Sequence, residues 1–196
     1  MSAATAQNWL ERSGFENMHS TKGHFALTPL MEAARLGAVD MMNYLLTQCQ
    51  AAPGSDGSML DAFDARSRTA LMYAAEEGHL STIRALLASG ASLAAVDRNG
   101  ASPLRLAAAR GHLRACECLA GAWPPLLTRP NKHGASPLQA ACIEGHLNVA
   151  HFLVLAGGLC GPDGHVTAAK VLLAPLNRPS SGRKIGSSYR VSFVQT

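Results

Sequence analysis

Apolar positions along the chain fall at the period of a helix, and the same pattern returns several times. Leu80, Ile83, Leu86 and Leu87 share one side of a helix, which leaves the other side polar. Related stretches are AVDMMNYLL from Ala38, HLSTIRALL from His79, HLRACECLA from His112 and HLNVAHFLV from His146. A shorter segment precedes each: TPLMEAARLG at Thr28, TALMYAAEEG at Thr69, SPLRLAAARG at Ser102 and SPLQAACIEG at Ser136. These starts lie 41, 33 and 34 residues apart, and nine positions after each hydroxyl residue stands a glycine, at Gly37, Gly78, Gly111 and Gly145. A repeat of that length predicts stacked supersecondary units, here four pairs of helices.

The letters of one unit have physical reasons. Thr28, Ser102 and Ser136 can accept hydrogen bonds from the orphan amides of a first helical turn, while Pro29, Pro103 and Pro137 occupy the position where no donor is needed. Small pairs such as Ala74–Ala75 and Ala107–Ala108 let neighbouring helices approach, and the glycine can take the left-handed conformation that ends the first helix. Neither helix can bury its stripe alone. Stacking buries the stripes continuously, so stability is a sum of unit and neighbour terms.

Departures from the period mark the organisation. The stretch QAAPGSDGSM at 50–59 is rich in turn formers and predicts a flexible surface loop between the first two pairs. AGAWPPLLTRPN after Leu119 puts Trp123 and two prolines where a glycine stood, so a bend is expected between the third and fourth pairs. GHVTAAKVLL at 164–173 repeats the second-helix signature, yet only nineteen residues separate Gly145 from Gly164. A first helix is missing there, and a frayed or loosely docked second helix is expected.

At these residues the chain resembles the ankyrin-repeat family, whose unit carries TPLHxAA and GHLxxVxxLL. The resemblance implies an all-α repeat solenoid of about four helix-turn-helix units joined by short β-hairpins, with a degenerate fifth unit. It divides the chain into a poorly ordered segment 1–22, a repeat domain 23–158 with units near 23–62, 63–95, 96–129 and 130–158, a degenerate fifth unit 159–173 and a basic disordered tail 174–196. DRNG at 97–100 and NKHG at 131–134 look like hairpin tips, and DARS at 64–67 is a weaker copy lacking the glycine. The resemblance further implies a concave surface that binds another protein through the tips and the open side of the first helices. The matching positions are Ala65, Arg66, Arg68, Glu76 and Glu77, then Arg98, Asn99, Ala101, Ala109 and Arg110, then Lys132, His133, Ala135, Ile143 and Glu144. Arg66, Arg68, Arg98 and Lys132 make the tips basic, while Glu76, Glu77 and Glu144 place acids deeper. A protein segment with acidic or phosphorylated residues suits that edge, because arginine pairs bidentately with carboxylate and phosphate.

Composition narrows the function. Hydrophobic residues are 47% of 196 and charged residues 15%, against roughly 25% charged in an average soluble protein. With 34 alanines and 5% aromatics, closely packed helices fit better than a core of large rings. Of the net charge of +4, all four units come from Arg178, Arg183, Lys184 and Arg190, since 17 minus 4 cations leaves 13 against 13 acids. A neutral body lacks the clustered excess of cations that a phosphate-backbone footprint needs, so no nucleic-acid partner is expected. No basic segment followed by a long apolar run opens the sequence, and no membrane insertion is expected. Cys49, Cys116, Cys118, Cys142 and Cys160 are odd in number and irregularly spaced, which suits free thiols in a reducing cytoplasmic or nuclear setting.

Candidate chemistry is sparse. His79, His112, His146 and His165 recur with the repeat, so they sit about one unit apart, too far to share an ion whose ligands lie ~2 Å from it; the resemblance implies a structural role. Cys116 and Cys118 are two apart on a predicted helix and do not share a face. Phosphate-loop, zinc-protease and nucleophile-elbow motifs are absent. No enzyme, metal or cofactor is expected. The tail ends YRVSFVQT, and Arg190, Val191, Ser192 and Phe193 match the RVxF docking motif of protein phosphatase one regulators. Val191 and Phe193 point to the same side of an extended segment, and phosphorylation of Ser192 would add about −1.5 to −2 charge beside them and release the partner. Three readings follow: a noncatalytic adaptor using the concave surface, a phosphatase-targeting subunit that adds the tail, and a truncated, weakly functional copy of a longer array.

Overall fold

The computed structural model describes residues 2–17, 19–23, 25–51 and 59–156. The predicted loop at 50–59, the fifth unit, the tail and Arg190, Val191, Ser192 and Phe193 fall largely or wholly outside them. The helices are α1 (Ala3–Arg12), α2 (Pro29–Leu36), α3 (Val39–Ala51), α4 (Ala70–Glu77), α5 (Leu80–Ala88), α6 (Pro103–Arg110), α7 (Leu113–Ala122), α8 (Pro137–Ile143) and α9 (Leu147–Leu155). First helices α2, α4, α6 and α8 pack in succession, as do second helices α3, α5, α7 and α9. Two stacked rows of helices result.

Local chemistry starts and stops the first helices as the sequence predicts. The hydroxyls of Thr28, Ser102 and Ser136 accept from the amides of Met31, Arg105 and Gln139, and Ser136 with Gln139 closes a full capping box. Thr69 makes no such bond; its Oγ1 is buried without a partner. Ala33, Ala34, Ala74, Ala75, Ala107 and Ala108 are all completely buried. Only a methyl group fits where adjacent first helices meet.

Connections between pairs are tight turns. Among the described residues the one strand-type pairing is Lys22 with Leu27. At the later tips one side-chain oxygen does the work: Oδ1 of Asp64 accepts from the amides of Arg66 and Arg68, Oδ1 of Asp97 from Asn99 and Ala101, and Oδ1 of Asn131 from His133 and Ala135. Successive tips are joined by backbone bonds, Ala65 N–H to Phe25 O, Arg98 N–H to Arg66 O and Lys132 N–H to Asn99 O. Ser67 has φ +59 where Gly100 and Gly134 have +75 and +76. A side chain in that region costs about 1 kcal/mol. Ser67→Gly is therefore expected to raise the unfolding free energy by about 0.5–1 kcal/mol, measured by urea titration.

Near the amino end the described residues hold a helix: the Ser2 hydroxyl caps α1, and Ala6, Leu10 and Phe15 are buried in the same core as the first pair. This helix covers the leading edge that the first repeat would otherwise expose. The junction after α7 is filled by buried side chains. A 3-10 turn at Pro124–Leu127 buries Leu126 and Leu127, Arg129 donates to Ala94 O at 2.8 Å beside the Trp123 ring, and α6 stays packed on α8.

Candidate functional site

Repeats are locked to one another by histidine. His79, His112 and His146 each place Nε2 on a carbonyl of the preceding unit, Arg35 O at 3.1 Å, Glu76 O at 2.9 Å and Ala109 O at 3.1 Å. A carbonyl only accepts, so Nε2 carries the proton in all three. The ring covers the preceding glycine so closely that a Cβ on Gly37, Gly78 or Gly111 would stand 2.8, 2.5 or 2.6 Å from its Nδ1. This contact fixes how each tip and first helix is offered relative to the next.

On that frame the predicted surface residues divide. Arg66, Glu77, Arg98, Asn99, Arg110, Lys132, His133, Ile143 and Glu144 are exposed, whereas Ala65, Ala109 and Ala135 are half-buried. Ala101 is removed from the surface: it is 1% exposed and packs with Met72 and Leu106. Its amide is held by Asp97, so the turn directs the residue inward. Arg66 lies over the half-exposed Phe25 ring, 4.0 Å from its centroid, in cation–π contact. Arg98 and Lys132 make no ion pair among the described residues and stand on successive tips tied by backbone bonds.

Arg68 and Glu76 do not offer their charges to a partner. Glu76 Oε2 accepts from Arg68 Nη1 at 2.5 Å, and its Oε1 accepts from Arg110 Nη2 at 2.9 Å across the repeat boundary. The Arg68 and Glu76 side chains are only 16% and 13% exposed, against 61% for Arg110. One carboxylate thus pairs with two of the predicted basic residues, and its hydrogen bond holds the Arg110 pKa above the ordinary value. Further in, Tyr73 donates to Asp64 Oδ2 at 2.6 Å; burial, then this bond, raises its phenol pKa. In the first unit a hydrogen bond from Arg35 lowers the Glu32 carboxyl pKa despite its burial.

Arg105 is the residue that the sequence reading passed over. Position 105 in α6 corresponds to Met31 in α2, Met72 in α4 and Gln139 in α8. Its side chain is half-buried, Nε is fully buried without an acceptor, and no carboxylate pairs with it among the described residues. A guanidinium at a position held elsewhere by methionine or glutamine was the available signal.

Other chemistry is quiet. Burial pushes the Cys116 thiol pKa up to about 12 and raises that of Cys142, which disfavours thiolate. Among the described residues no three His, Cys, Asp or Glu side chains gather, and no helix is long and apolar enough to cross a membrane. No curated protein matches the chain. A protein-family model described as ankyrin repeats, in three copies, matches residues 2–97 and 92–163. Those spans take in all four helix pairs and the histidine locks between them; the chain belongs to the ankyrin-repeat family, a family of protein-interaction repeats.

Proposed function

We propose that the chain is a noncatalytic adaptor that receives an acidic or phosphorylated protein segment across its tips and first helices. Arg66, Arg98 and Lys132 form the rim, and Arg105 reaches the segment from α6. The observation that carries this reading is the unpaired state of Arg105, whose buried Nε lacks an acceptor. A buried donor without a partner costs about 1–3 kcal/mol; Nε itself is closed to solvent, so an incoming carboxylate or phosphate would pair with the Nη groups of this half-buried side chain. Arg110 and Arg68 are poorer anchors, because Glu76 already holds them.

The test is fluorescence anisotropy with a glutamate-rich peptide and its phosphoserine counterpart. Arg105→Gln and the double reversal Arg66→Glu/Arg98→Glu are each expected to weaken binding at least about tenfold, the equivalent of ~1.4 kcal/mol. Affinity unchanged in both would end the proposal. Arg68 is left out of the reversal because a glutamate there would face Glu76 inside the fold.

The Arg190–Val191–Ser192–Phe193 motif supports a second reading as a targeting subunit for protein phosphatase one. Removing Ser188–Thr196 separates the two: loss of phosphatase binding with peptide affinity intact assigns the tail its own partner.

A further inference from the structure

We infer that Arg66 and Arg98 form a clamp for a phosphate monoester on the partner segment, and that an acid three residues along the segment meets Lys132. The inference rests on the adaptor reading and names the chemistry of its ligand. Three junctions between successive tips are tied by the same backbone bond, which joins Ala65 to Phe25, Arg98 to Arg66 and Lys132 to Asn99. Among these junctions only the middle one sets one arginine against another. A bond of this kind holds the two Cα atoms roughly 5–6 Å apart, close enough for both side chains to reach one anion.

Among the described residues no acid compensates that pair. Like charges opposed across a backbone pairing weaken it, and the neighbouring carboxylates are engaged elsewhere. Asp64 and Asp97 are each only 5% exposed. Asp64 binds two amides and the Tyr73 hydroxyl, and Asp97 binds two amides. Glu76 holds Arg68 and Arg110. Arg66 and Arg98 are exposed, and neither guanidinium makes a hydrogen bond or ion pair among the described residues. Arg66 is nevertheless held in place, since its guanidinium lies 4.0 Å from the Phe25 centroid. Stacking on a ring fixes the plane of the group and leaves the N–H donors free at its edge.

Two guanidinium forks suit phosphate better than carboxylate. A carboxylate offers two oxygens, which one arginine can fill bidentately. A phosphate monoester offers three acceptor oxygens and about −1.5 to −2 charge, enough for both arginines. Lys132 is an exposed cation on the next tip. Neighbouring first helices lie about 8–10 Å apart, so an extended segment rising ~3.3 Å per residue comes level with Lys132 at its third residue.

Fluorescence anisotropy on the full chain tests the clamp. The probes share one sequence and carry phosphoserine, one glutamate or two adjacent glutamates at the centre, with a further glutamate three residues before or after it. Phosphoserine is expected to bind at least about tenfold tighter than the glutamate pair of similar charge. Arg66→Gln, Arg98→Gln and the charge-conserving Arg98→Lys should each bring the two within about threefold. Lys132→Gln should weaken about threefold only the phosphopeptide whose outlying acid falls on the Lys132 side. Equal affinity for phosphoserine and the glutamate pair, or a preference that survives Arg98→Gln, would overturn the clamp and leave an adaptor for acidic segments standing. Binding of no probe would remove the adaptor reading and the clamp together. An effect of Lys132→Gln on both phosphopeptides alike, or on neither, would overturn the three-residue spacing. Inorganic phosphate that displaces the phosphopeptide at equal concentration would overturn a protein ligand in favour of a free anion.

Discussion

Replacing Gly78 by alanine is expected to lower the unfolding free energy by about 3 kcal/mol, the sum of three effects at one atom. Gly78 has φ +77, where a Cβ costs about 1–2 kcal/mol. That Cβ would also stand 2.5 Å from His112 Nδ1 and 2.6 Å from its Cγ, so the ring must leave. Its departure breaks the bond from Nε2 to Glu76 O, and the carbonyl at the end of α4 loses its partner from the next unit. Gly90→Ala is the control, since Gly90 has φ +88 with nothing within 4 Å and should show the backbone cost alone, about 1–2 kcal/mol. Urea titrations of Gly78→Ala, His112→Ala and the double variant complete a cycle. With the ring already absent, the alanine should cost no more than in the control. Additive losses would mean that the histidine and glycine do not act as a unit.

The parts of the fold that repeat were the parts legible in the sequence. Thr28, Ser102 and Ser136 announce helix starts because the bond they make is local, and Gly37, Gly78 and Gly111 announce ends for the same reason. Helix α1 escaped because it occurs once: Ala6, Leu10 and Phe15 have no counterpart to be aligned with, and their burial depends on the face that the first pair leaves open. The surface was less legible. Residue types identify a basic edge, but which cations stay free depends on contacts between units. Glu76 reaches Arg110 thirty-four positions away, and Arg66 is engaged by Phe25 through the fold of the first tip. Ala101 sits next to the exposed tip in sequence and beneath it in space, since Asp97 binds its amide and Met72 its side chain.

Glu76→Gln should separate stability from binding by moving them in opposite directions. The carboxylate joins Arg68 within its own unit to Arg110 of the next. An amide retains one acceptor but points donors at a second guanidinium, so one arginine loses its partner. Arg110 is 61% exposed, and its pair contributes at most a few tenths of a kcal/mol, roughly, once water screens it. Arg68 decides the outcome: its side chain is 16% exposed and its Nε already lacks an acceptor. Leaving it uncompensated should cost about 2 kcal/mol, against about zero for Glu77→Gln at the exposed neighbouring position. The same change releases positive charge beside the proposed peptide path. At temperatures where the variant remains folded, affinity for the glutamate-rich peptide should rise about threefold or more at low salt and return toward the parent value near 0.5 M salt, where the screening length is only ~4 Å. A variant that loses stability and binds the acidic peptide no better, while still folded, would show that the charges around Glu76 serve the repeat stack alone.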